Sequence, residues 1–171
     1  MQKKVLFITQ AGIIAALYVV LTYFINAFNL ASGAIQVRIS EALCVLPFFT
    51  PAAVPGVIIG CFLSNIITQT MLPDVIFGTL ATAIAAVASY FLKDHRFLVT
   101  LPPVFANALI IPFVLRYAYQ LDDAIWFLMV TVGAGEVISC VGLGSLLITA
   151  LMPIRSRIFG ETFTVKKAKE A

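Results

Sequence analysis

From Val5 to Met152 the chain runs through one apolar stretch after another, each close to the length that crosses a hydrocarbon layer about 30 Å thick. The runs are continuous rather than alternating. In lipid every backbone polar group must pair within its own segment or within a closed barrel, and a barrel strand would alternate apolar and polar residues. Helices are therefore the expected elements. Composition agrees: 61% of the 171 residues are apolar, 11% are charged and the mean hydropathy is +1.05, a balance that fits no water-soluble domain. The expected fold is all-α, an integral membrane bundle of six transmembrane helices forming a single transmembrane domain over residues 1–171.

Pro and charged clusters punctuate the runs at Thr50-Pro51, Leu72-Pro73-Asp74, Lys93 to Arg96 and Gln120 to Asp123. The spans read as Val5–Phe28, a short Ile39–Phe49, Pro51–Met71, Asp74–Leu92, Phe97–Tyr119 and Asp123–Met152. Connections this short make sequential neighbours antiparallel. The basic start before Val5 resembles a secretory signal, but the run is too long for a signal core and lacks a convincing cleavage site, so it is expected to stay as the first helix. With six spans, nine of the eleven Lys and Arg residues fall on one side: Lys3, Lys4, Lys93, Arg96, Arg155, Arg157, Lys166, Lys167 and Lys169. Arg38 and Arg116 fall on the other. The positive side faces the cytoplasm, which places both termini there in a multi-pass protein of the cell membrane. These cations read as topological anchors that also attract anionic lipid.

Several function classes drop out. Cys44, Cys61 and Cys140 lie singly inside apolar segments, without the spacing of a disulfide framework or a zinc site. They read as small core residues. One histidine, His95, falls in a loop, and no phosphate-binding G-x-x-x-x-G-K-[ST] run occurs. No enzyme activity, ATPase, metal, cofactor or nucleic-acid partner is expected.

Small residues at four-residue spacing let helix backbones approach where lipid supplies no hydrophobic force between helices. The first span has Ala11 with Ala15 and Gly12 with Ala16, the third Gly56, Gly60 and Ser64, and the sixth Gly133, Gly135, Gly142 and Gly144. The third and sixth sets read as internal packing. The first lies near the cytoplasmic end and suits either packing or a docked partner.

Polar groups at membrane depth are costly and are functional candidates by default. Arg38 and Glu41 open the second span three residues apart, as a pair or as site residues. Asn65 and Gln69 share a face of the third span, Asn107 lies mid-way along the fifth and Glu136 half-way along the sixth. Asp122 and Asp123 are expected to cap the sixth helix, and Asp74 after Pro73 to cap the fourth. The candidates favour the outer half of the bundle, which describes a pocket open to the exterior over an apolar floor.

The stretch QVRISEALCVLPFFTPAAVPGVIIGCFLSNII, Gln36 to Ile67, resembles the QueT family of queuosine-precursor transporters, the substrate-binding S components of energy-coupling factor (ECF) transporters. The V-R-I-S-E-A-L run, Val37 to Leu43, is its most specific part, and the size, the six spans and the Ala-rich first helix extend the likeness over nearly the whole chain. The resemblance implies a small subunit that captures a scarce, vitamin-like compound and passes it to a coupling transmembrane subunit and two ATPase subunits. It implies that the first helix meets the coupling subunit through Ala11, Gly12, Ala15 and Ala16, and that about Asn29 to Gln36 close over the ligand.

The implied ligand is a 7-deazaguanine base, in the aminomethyl form, with a guanine-like donor edge and a positively charged amine. A carboxylate accepts a donor pair with bidentate geometry, and a second acid suits the ammonium group. Glu41 and Glu136 fit these two tasks, unassigned between them. Asn65, Gln69 and Asn107 would read the carbonyl and ring nitrogens, and Arg38 would position Glu41. Two alternatives stay open: an S component for another vitamin, and a proton-coupled exporter or homo-oligomeric channel, without ATPase partners, in which Glu136 relays protons.

Overall fold

Helix is the only regular structure that satisfies the backbone of these runs without a partner strand, and among the described residues there is no strand. The computed structural model describes residues 2–27 and 38–160. Helix α1 spans Gln2–Ala27, and a 3-10 helix spans Ile39–Phe48. Helices α2 (Ala53–Ile67), α3 (Leu72–Phe91) and α4 (Leu101–Tyr117) follow. The last span is continuous but not uniform: α5 (Ile125–Glu136) passes through a π-helical turn, Val137–Leu143, into α6 (Gly144–Leu151), and a 3-10 turn leads to the short α7 (Arg155–Phe159). These are six helical segments in the order and near the boundaries expected from the sequence. The proposed closing segment Asn29 to Gln36, Val37, and Lys166, Lys167 and Lys169 lie outside the described residues.

Four segments are long and apolar enough to cross a membrane: Lys3–Ala27, Leu72–Phe91, Leu98–Tyr117 and Ile125–Phe159. The 20 residues of α3 rise about 30 Å, the thickness of the hydrocarbon layer. Large apolar side chains such as Ile8, Val20, Phe105 and Leu146 are exposed around the outside, a surface that only lipid covers favourably. The chain is a multi-pass membrane protein.

The 3-10 helix is the hub. Its residues Ser40 to Phe48 are all buried, and it packs against α1, α2, α3, α6 and the π-helical turn. It is enclosed by protein rather than lipid, which tolerates the shorter length. Side chains three apart eclipse in a 3-10 helix, so Glu41, Cys44 and Pro47 stand along one edge. Around it lies the main core, with Ile14 and Tyr18 from α1, Val57 and Cys61 from α2, Ala86 from α3 and Ile148 from α6. A second cluster, Ile111, Leu115, Leu128 and Val132, joins α4 to α5.

Close helix approach depends on glycine where expected. A Cβ added at Gly60 would fall 2.6 Å from the Cβ of Tyr18 and 3.1 Å from the Cα of Ala15, and one at Gly56 would fall 3.0 Å from the Ala11 carbonyl oxygen. A Cβ at Gly144 would meet Val45 at 2.7 Å. The stripe on α2 is thus internal packing against α1. The bundle end at the start of α1 is closed by α7: the Gln10 amide donates to the Ile158 carbonyl (3.2 Å), Thr50 Oγ1 donates to Gln10 Oε1 (2.8 Å), and the rings of Phe49 and Phe159 stack at 5.1 Å.

Candidate functional site

Glu41 comes from the first turn of the 3-10 helix and Glu136 from the last residue of α5, where the helix widens into its π-helical turn. Such turns recur at functional sites because they redirect side chains that a regular helix would turn away. The two acids converge: oxygens of Glu41 and Glu136 and the thiol of Cys140 all lie within 4.8 Å of one another. Both carboxyls are buried, Glu41 at 1% and Glu136 at 4% exposure. Two carboxylate charges at that spacing repel by about 3.5 kcal/mol or more even at an effective dielectric of 20. A cation, or a pair of N–H donors, placed between them relieves that repulsion.

Each acid is held from the protein side. The Tyr18 hydroxyl donates to Glu41 Oε1, and the Cys44 thiol donates to Oε2 at 3.1 Å. The Cys140 thiol lies 3.3 Å from Glu136 Oε2 and 3.4 Å from the Glu41 carbonyl oxygen, and the Asn107 amide also bonds the Glu136 carboxylate. Each oxygen so engaged keeps a second lone pair for a ligand.

Toward the Arg38 end lies a small cavity of about 60 Å³, bordered by Tyr18, Thr22, Ile25, Arg38, Ser40 and Asn65, among others. It is smaller than the roughly 150 Å³ cavity that takes up a benzene ring, so a base enters only if the walls give way. Tyr18 borders it and holds Glu41 at the same time, which puts the acid pair directly behind this wall.

Of the residues singled out from sequence, Glu41, Glu136 and Asn107 come together, and Asn65 and Arg38 border the adjoining cavity. Asn65 is buried, its amide 3.6 Å from Cys61 Sγ. Gln69 does not join them: α2 ends at Ile67, and Gln69 follows in a left-handed conformation (φ 55°) with its side chain exposed. The helical spacing that placed it beside Asn65 stops two residues short.

Arg38 pairs not with Glu41 but with Asp74, Nη2 to Oδ2 at 3.9 Å. Asp74 is buried at 4% exposure and accepts a hydrogen bond from the Tyr119 hydroxyl at 3.2 Å. It does not cap its helix, whose N-cap is Met71 without a side-chain cap. Burial and the Asp74 carboxylate push the Tyr119 phenol above its ordinary range, which keeps it a donor. Asp122 pairs with Arg116 at 3.7 Å on the surface, and the N-cap of α5 is Ala124, with no side-chain cap.

The small stripe of α1 divides. Ala11 and Ala15 face Gly56 and Gly60 of α2, and Ala15 is buried, whereas Gly12 and Ala16 are exposed and nothing approaches Gly12. Tyr18, Asp74, Cys44 and Cys140 were not expected at the site. A signal existed for the thiols, since each acid has a cysteine about one turn further on: Glu41 with Cys44, and Glu136 with Cys140.

The profile of the QueT transporter family matches residues 8–153 of this chain. The chain belongs to the QueT transporter family. It is a transporter rather than an enzyme. The queuosine precursor transporter QueT of Lactococcus lactis subsp. cremoris (strain MG1363) is 39% identical over 94 residues, 55% of this chain and 55% of that protein. The chain thus spans about half the length of this relative in the match. No solved structure matches.

Proposed function

We propose that this member of the QueT family is the substrate-binding S component of an ECF importer and that its ligand is a 7-deazaguanine queuosine precursor, the aminomethyl form fitting best. The observation that carries the reading is the pair of buried carboxylates, with oxygens within 4.8 Å of each other in the interior of the bundle. Acids at that depth need a partner. A guanine-like edge offers adjacent N–H donors to one of them, and an aminomethyl group offers a cation to the other. The relative is named for a queuosine precursor, which agrees with such a base.

Asn107 on Glu136, and Asn65 at the cavity, are the amides suited to the carbonyl and ring nitrogens. Gln69 lies too far along the chain and is left out of the site. The coupling subunit and its two ATPase subunits would meet α1 on the face of Gly12 and Ala16, flanked by Ile8 and Val20. That face is free, whereas Ala11 and Ala15 are engaged with α2. The Arg38 end would face the exterior and both termini the cytoplasm, a reading the distribution of Lys and Arg supports.

The test is a calorimetric titration of the purified protein with aminomethyl-deazaguanine, unsubstituted deazaguanine, guanine and a panel of vitamins. The expected order is aminomethyl-deazaguanine tightest, the neutral bases weaker and the vitamins without binding. A vitamin that outcompetes the deazaguanines would overturn the ligand. Proton-driven transport by the purified chain alone would favour the proton-relay reading instead.

A further inference from the structure

We infer that Asp74 is a positioning residue that holds Arg38 off the Glu41 and Glu136 pair and so keeps this pair open to a cationic ligand. The inference rests on the proposed aminomethyl base. Arg38 is the N-cap residue of the 3-10 helix, three positions before Glu41, and its backbone is extended (φ −103°, ψ 93°). Its guanidinium interacts electrostatically with Glu41, Tyr18 and Glu136 as well as with Asp74. An arginine so placed has the reach to fold onto the acids and neutralise them itself. It would then occupy the position a ligand amine needs.

Asp74 prevents this from the opposite wall. Its carboxylate is the partner Arg38 takes, at 3.9 Å, and it is fixed by the Tyr119 hydroxyl, which in turn accepts the Met71 backbone N–H at 3.4 Å. Gly78, one turn further along α3, leaves the necessary room: a Cβ there would lie 3.3 Å from Asn65 Nδ2 and 3.5 Å from Asp74 Oδ1. No other described cation competes for the acids. Lys3, Lys4, Lys93, Arg96, Arg155 and Arg157 lie at the far end of the bundle, and Arg116 is engaged with Asp122. The groups around the pair are Tyr18 from α1, Arg38 and Cys44 from the 3-10 helix, Cys61 from α2, Asn107 from α4 and Cys140 from the π-helical turn. Arg38 is the single cation among them.

The test compares two probes, 7-deazaguanine with and without an aminomethyl group, on the purified chain. Asp74→Asn keeps the shape and the Tyr119 contact but removes the charge. It should weaken the amine-bearing base roughly tenfold or more while changing the amine-free base by less than about threefold. Adding Arg38→Gln to Asp74→Asn should return the amine-bearing base to within about threefold of the parent. Equal weakening of both probes, or a double variant that is not rescued, overturns the inference in favour of a plain structural brace. Arg38→Gln alone gives an independent reading: it should bind the amine-bearing base at least as tightly as the parent, and a loss overturns the inference even if Asp74→Asn does not fold. A parent that binds neither base sinks the functional reading and this one with it. A parent that binds the amine-bearing base, beside an unchanged Asp74→Asn, sinks only this one.

Discussion

Glu41 and Glu136 face each other but are not held alike, and the difference sorts the effects of replacing them. Glu41 accepts from both Tyr18 and Cys44, so Glu41→Gln puts an amide nitrogen where one of two buried donors needs an acceptor. Such a mismatch costs about 1–3 kcal/mol of stability on top of any ligand effect. Glu136 is bonded by Cys140 and Asn107, and an amide oxygen in its place can still accept from either. Glu136→Gln is therefore the cleaner probe: ligand binding should fall by about 2–5 kcal/mol, the range for losing one buried charge-assisted contact, with little change in thermal unfolding. Calorimetry that found the variant within a factor of two of the parent would return Glu136 to a structural role. Both acids were legible in the sequence because lipid makes any buried carboxyl conspicuous. Asp74 was not, because a carboxylate after a proline at a helix start has the same sequence pattern whether it caps the helix or binds across the bundle. Tyr18 was hidden for the opposite reason, as one aromatic among many.

At the level of elements, the long helices were readable from run length and breaker residues, and the two irregular pieces were not. Nothing in ISEALCVLPF distinguishes a 3-10 helix from an α-helix, since both bury an apolar stretch and the choice is made by the helices that enclose it. The π-helical turn is equally silent in its own sequence. The same limit explains the stripe on α1: four-residue spacing finds small residues but cannot say which of two adjacent stripes meets a neighbour. The glycines of α2 decide it: Ala15 packs on Gly60, while Ala16 stands on the exposed face. Ala15→Trp should disrupt the α1–α2 contact, pushing on Gly60 and shifting Tyr18 away from Glu41, with a stability loss of about 1–3 kcal/mol or more from overpacking and weakened ligand binding. Ala16→Trp points away from α2. It should keep folding and ligand affinity, yet block close approach of a partner helix. Co-purification with the coupling module and ATP-dependent uptake read the difference, and normal uptake by Ala16→Trp would place the docking face elsewhere.

On the scale of the whole molecule, the polar site and the closed end lie at opposite ends of the same bundle, and this polarity gives orientation its functional weight. The side chains of Arg38, Asn65 and Asp74 cluster toward one end, while Gln10, Thr50 and α7 seal the other through hydrogen bonds and the Phe49–Phe159 stack. An importer that captures its ligand outside must present the first of these ends to the exterior. The Lys and Arg count argues for this, because acids contribute little to topology and the basic loops stay in the cytoplasm. That last point also selects the reporter positions. Asp94 and Asp123 are exposed residues in the loops at opposite ends, and replacing an acid leaves the Lys and Arg balance untouched. The three native cysteines are buried and give little background. In intact cells, Asp123→Cys should react with a membrane-impermeant maleimide, and Asp94→Cys should react only after the membrane is opened. The reverse pattern would turn the acid pair toward the cytoplasm, and capture from outside through the Arg38 end would no longer be possible.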